Sequence, residues 1–324
     1  MSTLVTGGAG FLGSHLVELL LSEDHTITVV DDKSRGAPEN LATVADHPDL
    51  TVIDADLTTY EDLESLVADH SKVYHLAARI GGVGYLREKP ATIITENDRL
   101  NHRLIEACVD ADIDRFLFAS SSMLYAEAER FPTPETMTTE IPPPPGSYGF
   151  QKLNGEYYCD AYHREYGLEY VAPRIFNAVG PRDWPADEVG HGHVIPDMVR
   201  KIDTEEQDPV VVKGSGQQTR CFTDVRDTVR GLYRCMEASS AANEAINIGA
   251  TRETSIIELI ELVWDKVGRS GEPRIDTESS FEKDVTRRVP DCSKAERLLN
   301  WTPEYDLEET LEWYIDAYRT RYDE

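Results

Sequence analysis

Tyr148 and Lys152 stand one helical turn apart in the stretch Ser147-Tyr-Gly-Phe-Gln-Lys152. At that spacing both side chains share a helix face. An ammonium beside a phenol favours the phenolate, which should bring a base of pKa about 10 toward working pH. Alone the spacing is weak, because Tyr-xxx-Lys also occurs on the solvated face of ordinary helices. A second candidate is Ser120-Ser121-Ser122, which ends the apolar run Phe116 to Ala119. A serine cluster usually makes only a turn. At the end of a sheet strand shortly before the Tyr148 helix, it can bring Ser121, Tyr148 and Lys152 together.

The elements that must hold them begin at the N-terminus. A β-type run, Ser2 to Thr6, meets Gly7-Gly-Ala-Gly10-Phe11-Leu12-Gly13 and then an apolar helix from Ser14. Gly8, Gly10 and Gly13 satisfy G-x-G-x-x-G between a strand and a helix. Such glycines let the backbone turn tightly and let a pyrophosphate approach the helix N-terminus. A second strand, Thr26 to Val30, ends at Asp31-Asp32, eighteen residues after Gly13. A carboxylate there accepts both ribose hydroxyls of adenosine and repels the extra phosphate of NADP, so the expected cofactor is NAD.

The alternation continues. Strands are expected at Leu50 to Ile53, before Asp54-Ala-Asp56-Leu57, and at Val73 to Leu76, before Ala77-Ala78. A helix is expected near Asn97 to Ala111, then the strand before Ser120. Interleaved strands and helices imply an α/β doubly wound parallel sheet, with ligands at the carboxyl ends of its strands. Ile141-Pro-Pro-Pro-Pro145-Gly146 reads as a rigid connector into the Tyr148 helix.

The chain has 324 residues, 40% of them hydrophobic, enough for one large or two modest domains. Sixty Asp and Glu against 32 Lys and Arg give a formal net charge of -28. That surface argues against nucleic acid and anionic membranes as partners. The acids are spread along the chain, as in a halophilic protein from a high-salt cytoplasm. The five cysteines are far apart with no CxxC pair, so neither a disulfide framework nor a metal site is expected. Met1 leads directly into a strand and no apolar run approaches a bilayer's span, so a cytoplasmic location is expected.

Taken together, these residues resemble the extended short-chain dehydrogenase/reductases that act on nucleotide sugars. The matching motifs are Thr6-Gly-Gly-Ala-Gly-Phe-Leu-Gly13, Asp54-Ala-Asp56-Leu57, His75-Leu-Ala-Ala78, Asn97, Ser120-Ser121, Tyr148-xxx-Lys152, Arg174-Ile-Phe-Asn177 with Gly180-Pro181, Gln218-Thr-Arg220, and Arg288 through Asp291 to Asn300-Trp301-Thr-Pro303. They run in family order over nearly the whole chain. The resemblance implies a Rossmann domain over 1–176, to which 222–250 returns. It also implies a smaller substrate domain over 177–324, tightly bound NAD, a nucleotide-diphosphate sugar as substrate, and a homodimer packed through the helices near Asn97 and Tyr148.

By the same resemblance Tyr148 is the catalytic acid/base. Lys152 lowers its pKa and holds the nicotinamide ribose, and Ser121 binds the reacting hydroxyl. Gly7, Gly10, Phe11, Leu12, Gly13, Asp31, Asp32, Ser34, Asp56, Leu57, Leu76, Ala77, Ala78, Asn97 and Ser120 fall at cofactor positions. Gly82, Met123, Asn177, His193, Val194, Arg220 and Arg288 fall at substrate positions. Two guanidinium forks suit a diphosphate; without the surrounding motifs, Arg220 and Arg288 would read as surface ion pairs.

Dehydratases of the family carry acids directly after the catalytic Ser or Thr, and decarboxylases tend to carry a Glu there; here those positions are Ser122 and Met123. Ala78-Arg-Ile-Gly81-Gly82-Val-Gly84 and His193-Val-Ile-Pro196 resemble GDP-mannose 3,5-epimerase and GDP-fucose synthase. Those enzymes pair the His with a Cys where Met123 stands, and a thioether has no exchangeable proton. What remains, Ser121, Tyr148, Lys152 and NAD, is the minimal set for C4 epimerisation of a nucleotide-diphosphate hexose, as in UDP-galactose 4-epimerase. The alternatives are a GDP-sugar 3,5-epimerase or epimerase-reductase, and, from another class, a non-catalytic NAD-binding sensor.

Overall fold

Alternating apolar strands and amphipathic helices close into one parallel sheet. The computed structural model describes residues 1–186, 192–279 and 285–322. Its first half runs β1 (Ser2–Thr6), α1 (Phe11–Ser22), β2 (Thr26–Asp31), β3 (Leu50–Asp54), α2 (Leu63–Ala68), β4 (Lys72–His75), α3 (Val83–Glu88), α4 (Pro90–Asp110), β5 (Arg115–Phe118), β6 (Ser120–Ser121), α5 (Ser147–Tyr166) and β7 (Tyr170–Ile175). The helix expected near Asn97 is longer than the pattern indicates, because Pro90 can open it at a first-turn position that needs no N–H.

The second half holds β8 (Ala178–Val179), α6 (Val194–Val199), β9 (Val210–Lys213), β10 (Thr219–Arg220), β11 (Thr223–Asp224), α7 (Val225–Glu237), β12 (Glu244–Ile248), β13 (Thr254–Ser255), α8 (Ile256–Lys266), β14 (Ile275–Glu278), α9 (Ser293–Leu299) and α10 (Leu307–Tyr322). The main sheet has the order β12-β7-β5-β4-β1-β2-β3, with β6 also on β7. Its pairings are all parallel. The chain therefore winds outward from β1 through β2 to β3, then crosses back to β4 and winds the other way. The reversal lies between β1 and β4, and a crevice opens there at the strands' carboxyl ends.

Each face of the sheet has its own core. On one, Leu16, Val17 and Leu20 of α1 meet Val225, Val229 and Leu232 of α7, with Leu299 of α9 and Trp301. On the other, Leu63 and Leu66 of α2, Leu100 and Leu104 of α4 and Cys159 of α5 cover Phe116 and Phe118. A third core gathers α6, β9, α8 and α10 around Leu259, Ile260, Val263, Leu311 and Tyr314. The protein is thus a doubly wound α/β sheet with a smaller α/β lobe beside it.

Helix α5 lies unusually close to what it covers. A Cβ built on Gly155 would come 2.1 Å from the Phe118 ring. One on Gly149 would come 2.6 Å from the carbonyl oxygen of Met123. These two glycines set the depth of the helix that carries Tyr148 and Lys152. Gly155→Ala adds a methyl where the ring cannot retreat. The expected net loss is about 2 kcal/mol, overpacking outweighing the helix propensity gained. Denaturant unfolding in molar KCl measures it; an unchanged midpoint would show that α5 can lift at no cost.

Candidate active site

A cleft of about 1710 Å³ runs along the carboxyl edge of the sheet and under the smaller lobe. Every residue expected at the cofactor or substrate lines it. From the β1–α1 turn come Gly7, Gly10, Phe11, Leu12 and Gly13; from the end of β2, Asp31, Asp32 and Ser34; after β3, Asp56 and Leu57. Leu76, Ala77, Ala78 and Gly82 follow β4, Asn97 comes from α4, and Ser120, Ser121 and Met123 from the end of β6. Tyr148 and Lys152 come from α5, Asn177 from the end of β7, His193 and Val194 from the start of α6, and Arg220 and Arg288 from the smaller lobe.

The β1–α1 turn is built for close approach. Gly7 has φ 71°, and a Cβ there would sit 2.8 Å from the Ala77 nitrogen. A Cβ on Gly13 would sit 2.1 Å from the Gly7 oxygen. No side chain caps α1 at Gly10, so its first N–H groups face the cleft unclaimed by a cap. That donor set fits a pyrophosphate. The buried Asp31 carboxylate accepts from the Ala9 amide at 3.0 Å and the Lys33 amide at 2.8 Å. Burial nevertheless holds its pKa above the ordinary carboxylate value, and further donors, such as ribose hydroxyls, would relieve that cost. The residues present therefore fit a dinucleotide.

At the other end of the cleft the Ser121 hydroxyl faces the Tyr148 phenol and favours its ionised form. Ser121 also accepts from the Met123 amide at 3.2 Å, which fixes its oxygen at the strand end. The Lys152 ammonium lies 5.7 Å from the Tyr148 ring centroid and 4.8 Å from that of Phe118. Lys152 by itself does not bring the phenol down, contrary to the sequence expectation. Burial pushes Tyr148 above its ordinary pKa, with the Ser121 hydroxyl opposing it. Burial also lowers Lys152 to about 8, and Glu156 works against that fall. The dry pocket penalises both charged forms, which the isolated spacing does not reveal.

Glu156 is a residue that the sequence reading missed, although it stands one turn past Lys152, where such a partner belongs. Its carboxylate accepts from Ser120 at 2.5 Å and from both arms of the Arg174 guanidinium at 2.9 and 2.6 Å. Arg174 also donates to the Tyr125 hydroxyl at 2.7 Å and to the Glu135 carbonyl at 2.8 Å. Asp183 stands in an irregular loop, where no periodic signal indicates its partner. It is buried, and its two oxygens lie 3.0 Å from His193 Nδ1. The Asp183 charge raises the His193 pKa, while the imidazole stays 45% exposed on the cleft.

Several expected ligand contacts have structural partners as well. Asn97 accepts from the Arg79 amide at 2.6 Å and donates to the Arg79 carbonyl at 3.1 Å, so it shapes the loop after β4. The Asn177 amide donates to the Cys221 carbonyl at 2.9 Å. Asp56 accepts from the Thr58 amide and hydroxyl. Arg220 donates to the Thr219 carbonyl at 2.8 Å. The five cysteines are all free. No helix among the described residues is long and apolar enough to cross a membrane.

A model of the family described as "NAD dependent epimerase/dehydratase family" matches residues 3–249. The chain is 34% identical to a putative UDP-glucose 4-epimerase of Methanocaldococcus jannaschii, over 97% of each protein. It is equally 34% identical to UDP-glucuronic acid decarboxylase 1 of Xenopus tropicalis, over 98% of this chain and 72% of that protein. Among solved structures it is similar to the UDP-glucuronic acid 4-epimerase of Bacillus cereus in complex with UDP-glucuronic acid and NAD. That match has a TM-score of 0.88 at 29% identity and covers 99% of this chain and 100% of that one.

The Lys152 environment is directly testable. A lysine is charged below its pKa, so the ammonium is present below about pH 8 and lost above it. In Glu156→Gln the carboxylate that favours the ammonium is gone, and the transition is expected at lower pH. NMR titration of lysine-labelled protein follows it. An identical transition in both proteins would mean that Glu156 acts only as a tie between elements.

Proposed function

The chain belongs to the NAD-dependent epimerase/dehydratase family, and within it we propose that it epimerises a UDP-hexose at C4 through a 4-keto intermediate. NAD is its cofactor. The observation that carries the proposal is the Ser121–Tyr148–Lys152 cluster, sharing one cleft with Arg220 and Arg288 and having Met123 as its other neighbour. The cluster supplies one proton-transfer site, and Met123 offers no second acid beside it.

The chain's own residues then divide the work. Ser121 holds the C4 hydroxyl and Tyr148 accepts its proton. The Lys152 ammonium supports the phenolate, which the dry site otherwise disfavours. Bound NAD supplies the hydride acceptor and a positive charge. Arg220 and Arg288 hold the diphosphate, leaving the keto sugar free to turn over before hydride returns to its other face. Tyr148 gives the proton back, so net redox is zero. The UDP base is favoured by the similar proteins, whose names specify UDP-sugars.

Decarboxylation of UDP-glucuronate is a second reading, favoured by the 34% identity to the Xenopus decarboxylase. Against it, Met123 occupies the position where such enzymes tend to carry a Glu. The chain also gives a self-association face. Helix α5 exposes Phe150, Tyr157 and Tyr166, and Tyr162 reaches His102 of α4 at 3.1 Å. We read this α4–α5 surface as the contact of a homodimer.

The deciding experiment incubates purified protein in high salt, with no added cofactor, with UDP-glucose, UDP-glucuronate, GDP-mannose and their 4-epimers, read by proton NMR. Interconversion of UDP-linked 4-epimers is expected, with Tyr148→Phe slowing it about 10³-fold. A pentose product with carbon dioxide from UDP-glucuronate would overturn the epimerase in favour of the decarboxylase. Solvent exchange at C3 or C5 would give His193 a catalytic role. For the surface, Tyr157→Glu is expected to shift the light-scattering mass from dimer to monomer; a monomeric wild type would refute the contact.

A further inference from the structure

The strand order sets up a crossing that no sequence motif announces. β2 and β4 are not neighbours, because β1 lies between them, so their ends stand about 10 Å apart across the crevice. Two contacts nevertheless join the loops that follow them. Arg79, after β4, places Nη2 3.0 Å from Asp32 Oδ2, after β2. Arg35, in the β2 loop, donates from Nη1 to the Ile80 carbonyl at 2.7 Å. All four residues line the cleft.

Both ends of this bridge are anchored. On the β4 side the Arg79 backbone is held at N–H and C=O by Asn97, and its Nε donates to Glu96 at 2.8 Å. On the β2 side Asp32 is oriented by the Ser34 amide and hydroxyl, at 2.9 and 2.6 Å. Asp31, next to it, fixes the same loop to the Gly-rich turn through the Ala9 amide. The chain then bends closely round that carboxylate, as a Cβ on Gly36 would fall 2.7 Å from Asp31 Oδ1. The carboxylate suited to the ribose thus stands at the foot of a two-armed bridge over the switch-point crevice.

We propose that Arg79 and Arg35 are a cofactor clasp, joining the two lips of the crevice over the adenosine end of NAD so that the dinucleotide leaves only when both contacts open. A chemistry in which hydride leaves and returns within one turnover needs a cofactor that stays. The clasp closes through protein partners, Arg79 Nη2 on Asp32 and Arg35 Nη1 on the Ile80 carbonyl, and needs no positive group on the ribose hydroxyls themselves.

The test is cofactor exchange on the holoprotein as purified, mixed with excess fluorescent etheno-NAD and no sugar, so it reads the clasp whatever substrate is turned over. Arg79→Met is expected to speed exchange about fivefold, the worth of one partly exposed charge-assisted contact. Asp32→Asn, which leaves the Arg79–Glu96 pair in place, is expected to speed exchange as well, and the double variant to be no faster than Arg79→Met alone, because Arg79→Met already removes the contact that Asp32→Asn breaks. Arg35→Met, which leaves Asp32 and Arg79 in place, is expected to add its own acceleration. Should Arg79→Met fold poorly, Arg79→Lys, which keeps the charge and loses the fork, is expected to fall between it and wild type. Wild-type exchange rates in Arg79→Met and Arg35→Met would overturn the proposal. So would effects of Arg79→Met and Asp32→Asn that multiply in the double, since these would show two independent contacts and no bridge.

Discussion

The Tyr148 end of the cleft hangs from the buried carboxylate of Glu156. Through its ion pair with Arg174 it ties α5 to β7, and through Ser120 it ties α5 to β6. The two side chains are only 5% and 12% exposed. At that burial an ion pair adds little net stability over an apolar pair, but removing one partner costs about 3–5 kcal/mol. What the pair secures is register. Ser120 precedes Ser121 and Glu156 follows Lys152 by one turn, so a single carboxylate fixes the strand and the helix whose side chains must meet. Arg174 extends the tie to Tyr125, which is held in turn by Asn247 of β12 at 2.8 Å.

The same dryness governs the chemistry. Burial opposes the tyrosinate at 148 and the ammonium at 152. Each ion must be supported by the other, by Glu156, and by whatever charge the ligands bring. Burial alone therefore favours the neutral phenol. Asp31, at the far end, follows the same logic: buried, raised, and wanting donors. Both ends of the cleft are arranged so that the ligand completes the electrostatics.

Much of this was legible in the sequence, for physical reasons. A Gly-rich turn between a strand and a helix, an acid at the end of the next strand, and small residues after later strands are local consequences of a parallel sheet's carboxyl edge. So the doubly wound fold and the lining of the cleft could be read from order and spacing. The contacts that order and spacing do not reveal act across distance. Arg79 meets Asp32 only because the chain reverses direction between β1 and β4. Asp183 meets His193 through an irregular loop. Trp301 enters the first core from the far end of the chain, its indole donating to the Asp227 carbonyl at 3.1 Å. The Tyr148–Lys152 spacing correctly indicated a shared face, but burial, which sets the actual pKa values, is a property of the packed sheet and not of one helix.

The net charge of -28 raises a last question, since the cleft takes anionic ligands. Long-range steering by such a surface would oppose their entry. At molar salt the screening length falls to about 3 Å, and charges spread over the surface no longer act across the mouth of the cleft. What survives is contact electrostatics inside it. There the acidic excess of the whole chain is absent: Arg79, Arg182, Arg220, Arg288, Lys152 and Lys201 line the walls together with acids such as Asp31, Asp32, Asp56 and Asp183. An acidic exterior and a cleft of balanced charge act on separate scales where solvent ions screen the surface. The halophile-like composition and the anion-binding site are then parts of one electrostatic arrangement.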